Sequence, residues 1–399
     1  MLNMREERGK VLAQTRAITK VEGGYLVDSQ NSNKKYFVDE HMASCTCPDC
    51  KNRNIRCKHA FAVQYFLQKV VTKKGVTTVQ TQRLTYPQAW SAYNKSQETE
   101  KTRFIELLSD LVQTTEQKEY SFGRPKISDQ DLLFASALKV YSQFSLRRFM
   151  SDLNEAKEKG FVEKKPCFAS VGHFIQNETL TPQLNELIQK TASVLKSVET
   201  KFAVDSTGFR TTKFNDYCRE KHETGKEHEW LKLHALIGTK TNIICACEIT
   251  ESSGKGTGDI SLFQPLVQTT ANNGFVLGEV SADKIYNSMA NTNLVNELGG
   301  TLYIPYKSNI TATVHTGNKG KLWRKMFHYF QLNQEEFLSH YHARSNIEST
   351  FGALKMKFND CLKSKTRTAQ INELLLKVLC FNIVQVIHET NELGIDCQF

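Results

Sequence analysis

No apolar run in the 399-residue chain reaches the ~18 residues that a helix needs to span a bilayer. The longest candidate, Leu374 to Ile387, is interrupted by Lys377, Asn382 and Gln385, and it predicts a buried helix instead. The opening Met-Leu-Asn-Met-Arg-Glu-Glu-Arg carries acids and lacks an apolar core, so a secretory signal is not expected. A disulfide framework is missing as well. The eleven cysteines are odd in number and most stand singly, the usage expected of free thiols in a reducing, cytoplasmic compartment. There is no internal repeat and no low-complexity tract. These absences leave a globular chain, with no membrane partner expected, long enough for two or three domains with cores of their own.

What is present is a surplus of positive charge. Lys and Arg number 52 against 42 Asp and Glu, a formal net charge of +10. That field attracts polyanions, nucleic acid or an anionic membrane surface, without choosing between them. Texture then divides the chain. Residues 1–72 hold a cysteine cluster flanked by the β-like runs Tyr25-Leu-Val and Tyr36-Phe-Val. Residues 73–100, rich in Thr, Gln and Lys and without periodicity, read as a linker. Residues 101–199 have helical spacing: Ser128 and Asp131 form an N-cap signal ahead of Leu133, Ala137, Val140 and Phe144. Thr181-Pro182 reads as a capping Thr with Pro at the first helical position. From 200 to 392, strands alternate with helices: Lys201 to Asp205, Trp230 to Gly238, Ile243 to Thr250, Phe275 to Ser281 and Thr301 to Pro305 are β-like. Ile260 to Ala271, Ala290 to Leu298 and the closing segments are helical, which predicts a mixed α/β layer with an antiparallel start and parallel additions.

The N-terminal cluster is Cys45-Thr-Cys47-Pro-Asp-Cys50 followed by Cys57-Lys-His59. Two ligand pairs, each with one residue between and joined by a loop of nine, can close a tetrahedron around Zn²⁺ through Cys45, Cys47, Cys57 and His59. Cys50 and His41 are spare donors. Four protein ligands leave no open position, so such a zinc is structural, and in so short a segment it contributes folding energy directly. Lys51, Arg53, Arg56 and Lys58 lie in the loop and read equally as phosphate contacts or as a solvated surface. Over roughly residues 25–70 the Cys-x-Cys…Cys-x-His pattern resembles the SWIM zinc finger, a module that binds DNA or protein.

Three acids complete the list. Asp205 closes one strand, Asp283 follows the fourth strand, and Glu348 lies in a later helix. Two-metal phosphoryl transfer needs carboxylates converging from separate elements onto ions ~3.5–4 Å apart, and this order is the one expected of an RNase H-like core. Tyr341, Arg344, Glu348 and Lys355 fall within about 60° of one another on a helical wheel. An apolar stripe, Ile347, Phe351, Leu354 and Phe358, runs beside them.

Tyr-x2-Arg-x3-Glu-x6-Lys, complete at those four positions, resembles the signature of DDE transposases from bacterial and archaeal insertion sequences. Val204-Asp-Ser-Thr-Gly208 is similar to that family's first-acid motif. Ala282-Asp-Lys-Ile-Tyr resembles the second-acid motif, with Ala and Ile in place of two glycines. Gly123-Arg-Pro125 and the helices after it resemble the N-terminal DNA-binding region of the family. The resemblance covers about residues 120–390 and implies a fold: an α/β RNase H-like catalytic core preceded by a helical DNA-binding domain and a small zinc-binding module. It further implies two Mg²⁺ (or Mn²⁺) ions on Asp205, Asp283 and Glu348, with Tyr341, Arg344 and Lys355 on DNA phosphates. The expected partners are double-stranded DNA, both element ends and target, and further copies of the chain in a dimer or synaptic complex. The expected location is the cytoplasm, with the nucleoid. Only 65 positions separate Asp283 from Glu348, too few for a large inserted β-domain, so a compact core is expected. A non-catalytic DNA-binding relative and an RNase H-like nuclease that cuts without joining remain as alternatives.

Overall fold

The structure is a computed structural model that describes residues 4–15, 18–29, 34–53, 56–66, 68–71, 77–80, 89–117, 126–211, 230–251, 258–307, 310, 320–397 and 399. The chain divides into two compact units, Met1–Gln88 and Ala89–Phe399. Gly123-Arg-Pro125 and most of the expected linker before Ala89 lie outside the described residues.

In the first unit, helix α1 (Met4–Thr15) precedes an antiparallel sheet of β1 (Ile18–Val21), β2 (Gly24–Asp28) and β3 (Lys35–Asp39). Helices α2 (Pro48–Arg53) and α3 (Lys58–Phe66) follow, then the hairpin β4 (Gln68–Val71) and β5 (Thr77–Gln80). α1 crosses α3 at Gly9, where a Cβ would stand 2.4 Å from that of Phe61, so only glycine allows the approach.

The second unit opens on α4 (Trp90–Gln113), α5 (Asp129–Ser142), α6 (Met150–Glu158), α7 (Phe168–Ile175) and α8 (Leu180–Ser193). Strands β6 (Lys201–Arg210), β7 (Trp230–Gly238) and β8 (Ile244–Glu251) form an antiparallel meander, followed by α9 (Asp259–Asn272), β9 (Glu279–Ala282), α10 (Met289–Glu297) and β10 (Thr301–Tyr303). Helices α11 (Lys321–Leu332), α12 (Gln334–Tyr341), α13 (Ser345–Phe358) and α14 (Arg367–Leu393) close the chain. The sheet order is β10-β9-β6-β7-β8, with β9 and β10 added in parallel, so the expected mixture of antiparallel start and parallel additions is present. Among the described residues between Asp283 and Glu348, β10 is the one strand. The rest is mainly helical, with α11 and α12 packing Trp323, Phe327 and Phe337 against Tyr303 and Tyr306.

Several elements differ from expectation. The linker reading of 73–100 fails from Trp90, where α4 begins; its inward face there includes Ser96 and Glu100, polar residues whose burial apolar periodicity cannot reveal. Glu100 receives Lys357 Nζ at 2.7 Å and the hydroxyl of Tyr141 at 2.7 Å. The helices of 101–199 share one core with the sheet rather than forming a domain of their own, because α14 packs against α4, α5 and α8. Ser128 does cap α5, accepting from the N–H of Asp131 at 3.0 Å, but α5 ends in a left-handed Gln143 and leaves Phe144 exposed beyond it. Thr181 is already inside α8, where its hydroxyl donates to Asn372 at 2.7 Å instead of capping.

α14 is the segment expected to be buried. Among the described residues it alone is long and apolar enough to cross a membrane by length and composition, yet most of that stretch is buried in the unit. Its polar residues explain how it stays there. Asn382 takes the N–H of Ile244 (3.0 Å) and donates to its carbonyl (2.8 Å), so the first residue of β8 is tied to the helix. Lys377 donates to the carbonyls of Asn359 (3.0 Å) and Cys361 (3.1 Å), and burial pulls its pKa down to about 8 against the pull of Glu373. Buried polar groups satisfied in this way fix register as well as depth.

Near the end of α14, burial, with repulsion from Glu392 and Glu199, raises the pKa of Glu389 to about 7. A raised carboxyl favours the folded state at low pH: its contribution is complete below the ordinary value of 4.5 and is lost as pH rises through about 7. Glu389→Gln, neutral at every pH, is therefore expected to stabilise the protein by about 2–3 kcal/mol at pH 8 and to change little at pH 4.5. Thermal unfolding of both proteins at the two pH values checks this, and an equal shift at both would refute it.

Candidate active site and metal centre

The position of Asp205 follows from strand pairing. β6 does not stop at Asp205 but runs on to Arg210, so the acid sits in mid-strand on the central strand of the sheet. Val204 is in parallel register with Ala282, the last residue of β9. The next residue on each strand is an acid, and the two carboxyl groups, Asp205 and Asp283, therefore leave the pair side by side. Each is fixed by a nearby backbone N–H: Asp205 accepts from Ser206 at 2.9 Å and Asp283 from Lys284 at 2.7 Å.

Glu348 arrives from the other side. The single helix expected through Tyr341, Arg344, Glu348 and Lys355 is broken: α12 ends at Tyr341, His342–Arg344 form a 3₁₀ turn, and α13 starts at Ser345. The tighter turn changes the phase, so the four residues do not form one straight stripe. The apolar stripe is as expected, with Ile347, Phe351, Leu354 and Phe358 all buried. Arg344 is the link. Its Nη2 donates to Asp205 Oδ2 at 2.6 Å and its Nη1 to Glu348 Oε1 at 3.0 Å. Burial works against its charge, but Asp205, Tyr341, Asp283 and Glu348 more than compensate and raise its pKa.

Burial raises the pKa of Asp205; the Ser206 N–H and Arg344 oppose that rise, and Asp283 adds to it. The Tyr341 hydroxyl is raised too, by burial first, and it responds to Arg344, Asp283 and Asp205, which places it in the same cluster. Lys355 is elsewhere. Its ammonium lies 5.4 Å from the centre of the Phe209 ring, near Asp360, four residues along β6 from Asp205. Tyr341, Arg344 and Glu348 thus gather with the two aspartates, and Lys355 does not.

A second polar group, not expected from the sequence, lies on the opposite parity of β6. Asp259, in the first turn of α9, accepts from Ser206 Oγ at 3.3 Å and pairs with Lys232 at 2.5 Å, while His234 Nδ1 stands 3.3 Å away. Burial lowers the His234 pKa to about 4, so the ring is neutral near pH 7. Lys232 and His234, two residues apart in an otherwise apolar strand, were the available signal.

Residues 196–383 match the family described as transposase DDE domain. The matched segment begins just ahead of β6 and ends within α14, so it contains Asp205, Asp283 and Glu348. Among solved structures, the cryo-EM structure of the piggyBac transposase synaptic complex with hairpin DNA has a TM-score of 0.36 with this chain. The two share 10% identity over 75% of this chain and 74% of that one. No curated protein matches the chain.

The first unit has a centre of its own. Cys45, Cys47, Cys57 and His59 are all buried, and their ligand atoms lie within 4.8 Å of one another. Cys45 bridges to β3, Cys47 precedes α2, and Cys57 and His59 open α3, so three elements converge. His59 Nδ1 stands 3.9 Å from Cys45 Sγ and 3.8 Å from Cys57 Sγ. Those spacings are close to the S···N edge of a tetrahedron with Zn–S and Zn–N near 2.3 and 2.0 Å, roughly 3.5 Å. The N–H groups of Cys47 and Cys50 point at the sulfurs of Cys45 (3.5 Å) and Cys47 (3.4 Å), an arrangement that favours thiolates. Without a metal the three thiols share the charge unevenly: Cys57 is held far below the ordinary thiol range by hydrogen bonds with Cys45 and His59, while Cys45 is raised by its bond with Cys57 and by burial, and Cys47 by burial. The donor set therefore fits zinc. Cys50 and His41 stay outside the cluster, Arg56 stacks its guanidinium 4.7 Å from the centre of the Phe61 ring, Lys51 is exposed, and the Arg53 side chain lies outside the described residues.

The purified protein is expected to carry one zinc per chain. Cys57→Ser or a strong chelator should remove it and expose Met1–Gln88 to limited proteolysis, with Ala89–Phe399 still resistant. Metal analysis and mass spectrometry of the fragments read this directly; a zinc-free preparation with an intact N-terminal unit would contradict it.

Proposed function

We propose that the protein is a DNA transposase that binds the ends of its own mobile element, hydrolyses a phosphodiester to free a 3′-OH, and joins that end to target DNA. The observation that carries this reading is the convergence of Asp205, Asp283 and Glu348 inside a segment that matches the transposase DDE domain. Sheet order supports an RNase H-like core, with the first acid on the central strand and the second on its parallel neighbour.

The three carboxylates fit a pair of Mg²⁺ or Mn²⁺ ions: two are held rigidly side by side and the third, Glu348, is largely exposed. Bound ions there supply activation of the attacking oxygen and stabilisation of the leaving one. The chain's own residues do the rest. β6 and β9 hold Asp205 and Asp283 at fixed spacing, and α13 delivers Glu348. Arg344 carries charge that a scissile phosphate can share, in the planar fork that suits phosphate oxygens. Tyr341 stands beside it as a second donor, and Lys355 contacts the strand farther along, past Phe209.

Zinc on Cys45, Cys47, Cys57 and His59 is structural in this reading and shapes a SWIM-like module. The helices of 101–199 add DNA contacts, mostly to phosphates. Joining needs two ends held together, so the working form is a dimer or larger synaptic complex, in the cytoplasm with the nucleoid. The insertion-sequence group with the Tyr-Arg-Glu-Lys signature is the lineage that fits.

Mg²⁺-dependent nicking and strand transfer on DNA carrying the element's ends test the proposal. Asp205→Asn should lower both by roughly 10³-fold or more while DNA binding is retained. Tight binding with no cleavage by wild type in Mg²⁺ or Mn²⁺ would leave a DNA-binding relative and overturn the enzyme reading.

A further inference from the structure

Beside residues 363–366, which lead into α14, lies a cavity of about 390 Å³ that belongs to none of the motifs above. It is lined by the end of α5, the loop after it, α7 and the segment leading into α14. No acid lines it, whereas Lys139, Lys363 and Lys365 do.

Lys139 is the unusual member. Its residue is 7% exposed, yet among the described residues its ammonium makes no hydrogen bond or ion pair. The Nζ atom is not among the fully occluded polar atoms, so the little access that Lys139 keeps includes its charge. Burial lowers its pKa, with partial compensation from Glu373. Glu373 is already engaged: its oxygens accept from the N–H groups of Lys363 (3.0 Å) and Ser364 (2.8 Å), and Lys377 stands 3.9 Å away. A buried cation without a direct partner costs stability unless something of opposite charge joins it.

The second element is the start of α14. Thr366, its N-cap residue, is extended and makes no side-chain cap bond, so the first-turn N–H groups lack the usual cap. Both Thr366 and Ala369 line the cavity. A helix of 27 residues presents a positive end there, and uncapped N–H groups at such an end bind phosphate oxygens. Ser145 and Ser364 also line the space. The walls are fastened to each other, since Lys363 Nζ donates to the carbonyl of Gln143 and Gln143 Nε2 to that of Lys357.

We propose that this cavity is a docking site for a backbone phosphate of bound DNA, held by Lys139, Lys365 and the N-terminus of α14. The proposal rests on the transposase reading only for the choice of DNA as the source of the phosphate. The exposed Phe144 at the rim is placed to pack against the adjoining sugar.

The test uses the full chain and a fluorescent duplex of mixed sequence, with affinity measured from roughly 50 to 200 mM salt. Lys139→Met keeps the apolar stem and removes the charge; Lys365→Gln changes an exposed residue and does not threaten folding. Each is expected to weaken binding about tenfold and to reduce the slope of log K against log salt by about 0.9. A parallel arm compares melting in inorganic phosphate and in chloride at equal ionic strength, where phosphate should raise the melting temperature of wild type more than that of Lys139→Met. Unchanged affinity and slope in both variants would overturn the site while leaving the transposase reading intact. A phosphate effect lost in Lys139→Met with DNA binding unaltered would assign the cavity to a small phosphorylated ligand and overturn the DNA assignment. No DNA binding by wild type would bring down the functional reading and this site together.

Discussion

A parallel register that places two carboxylates next to each other creates an electrostatic problem before it creates an active site. Burial makes Asp205 costly to ionise, and the like charge of Asp283 beside it adds to that cost. The fold answers with Arg344. Its guanidinium spans Asp205 and Glu348 and feels Asp283 and Tyr341 as well. The break between α12 and α13 is what puts it there, because a 3₁₀ turn re-aims the chain just before Ser345. The same neutralising demand is what divalent cations would meet, so the acids and the arginine form one charge system.

The helix that bears Glu348 is held at both ends by the strand that bears Asp205. At one end Arg344 reaches Asp205. At the other, the N–H of Arg210 donates to the carbonyl of Asp360 and the N–H of Leu362 to that of Arg210, each at 2.8 Å, with an Arg210–Asp360 ion pair at 2.7 Å beside them. Lys377 of α14 then pins the carbonyls of Asn359 and Cys361 from below. A helix clamped this way keeps its place relative to the strand, the preorganisation that the proposed metal-holding triad would require. The polar residues of the core helix therefore serve the site although none of them touches it.

Much of this was legible in the sequence where local chemistry and period agree. Trp230–Gly238 was read to the residue, Ile243 to Thr250 within one, and the cysteine spacing pointed to the four residues that converge. What escaped was set by partners distant in sequence. The start of α4 is held by Glu100 to Tyr141 and Lys357, contacts 41 and 257 positions away, so its polar inward face had no apolar period to betray it. The helix carrying Glu348 looked continuous because wheel geometry assumes one pitch, and three residues of tighter winding undo that assumption. Strand length failed at Asp205 for another reason: an acid in mid-strand resembles an end when its charge partner, Arg344, lies 139 positions away. The Asp259 cluster and the cavity near Lys139 depend on three or more elements at once, which a linear reading cannot assemble.

Charge placement bears on how a triad of acids can work on a polyanion at all. A net charge of +10 would draw DNA in, but phosphates brought up to three carboxylates would meet repulsion at short range, where bulk field counts for little. Cations fixed away from the acids can hold the strand without discharging the site. Lys355, over Phe209 four residues from Asp205, and the lysines around the start of α14 would have that property. Arg344 has the opposite property, being already committed to the acids it would help a phosphate approach. In the proposed reaction, binding and chemistry would thus draw on separate sets of cations.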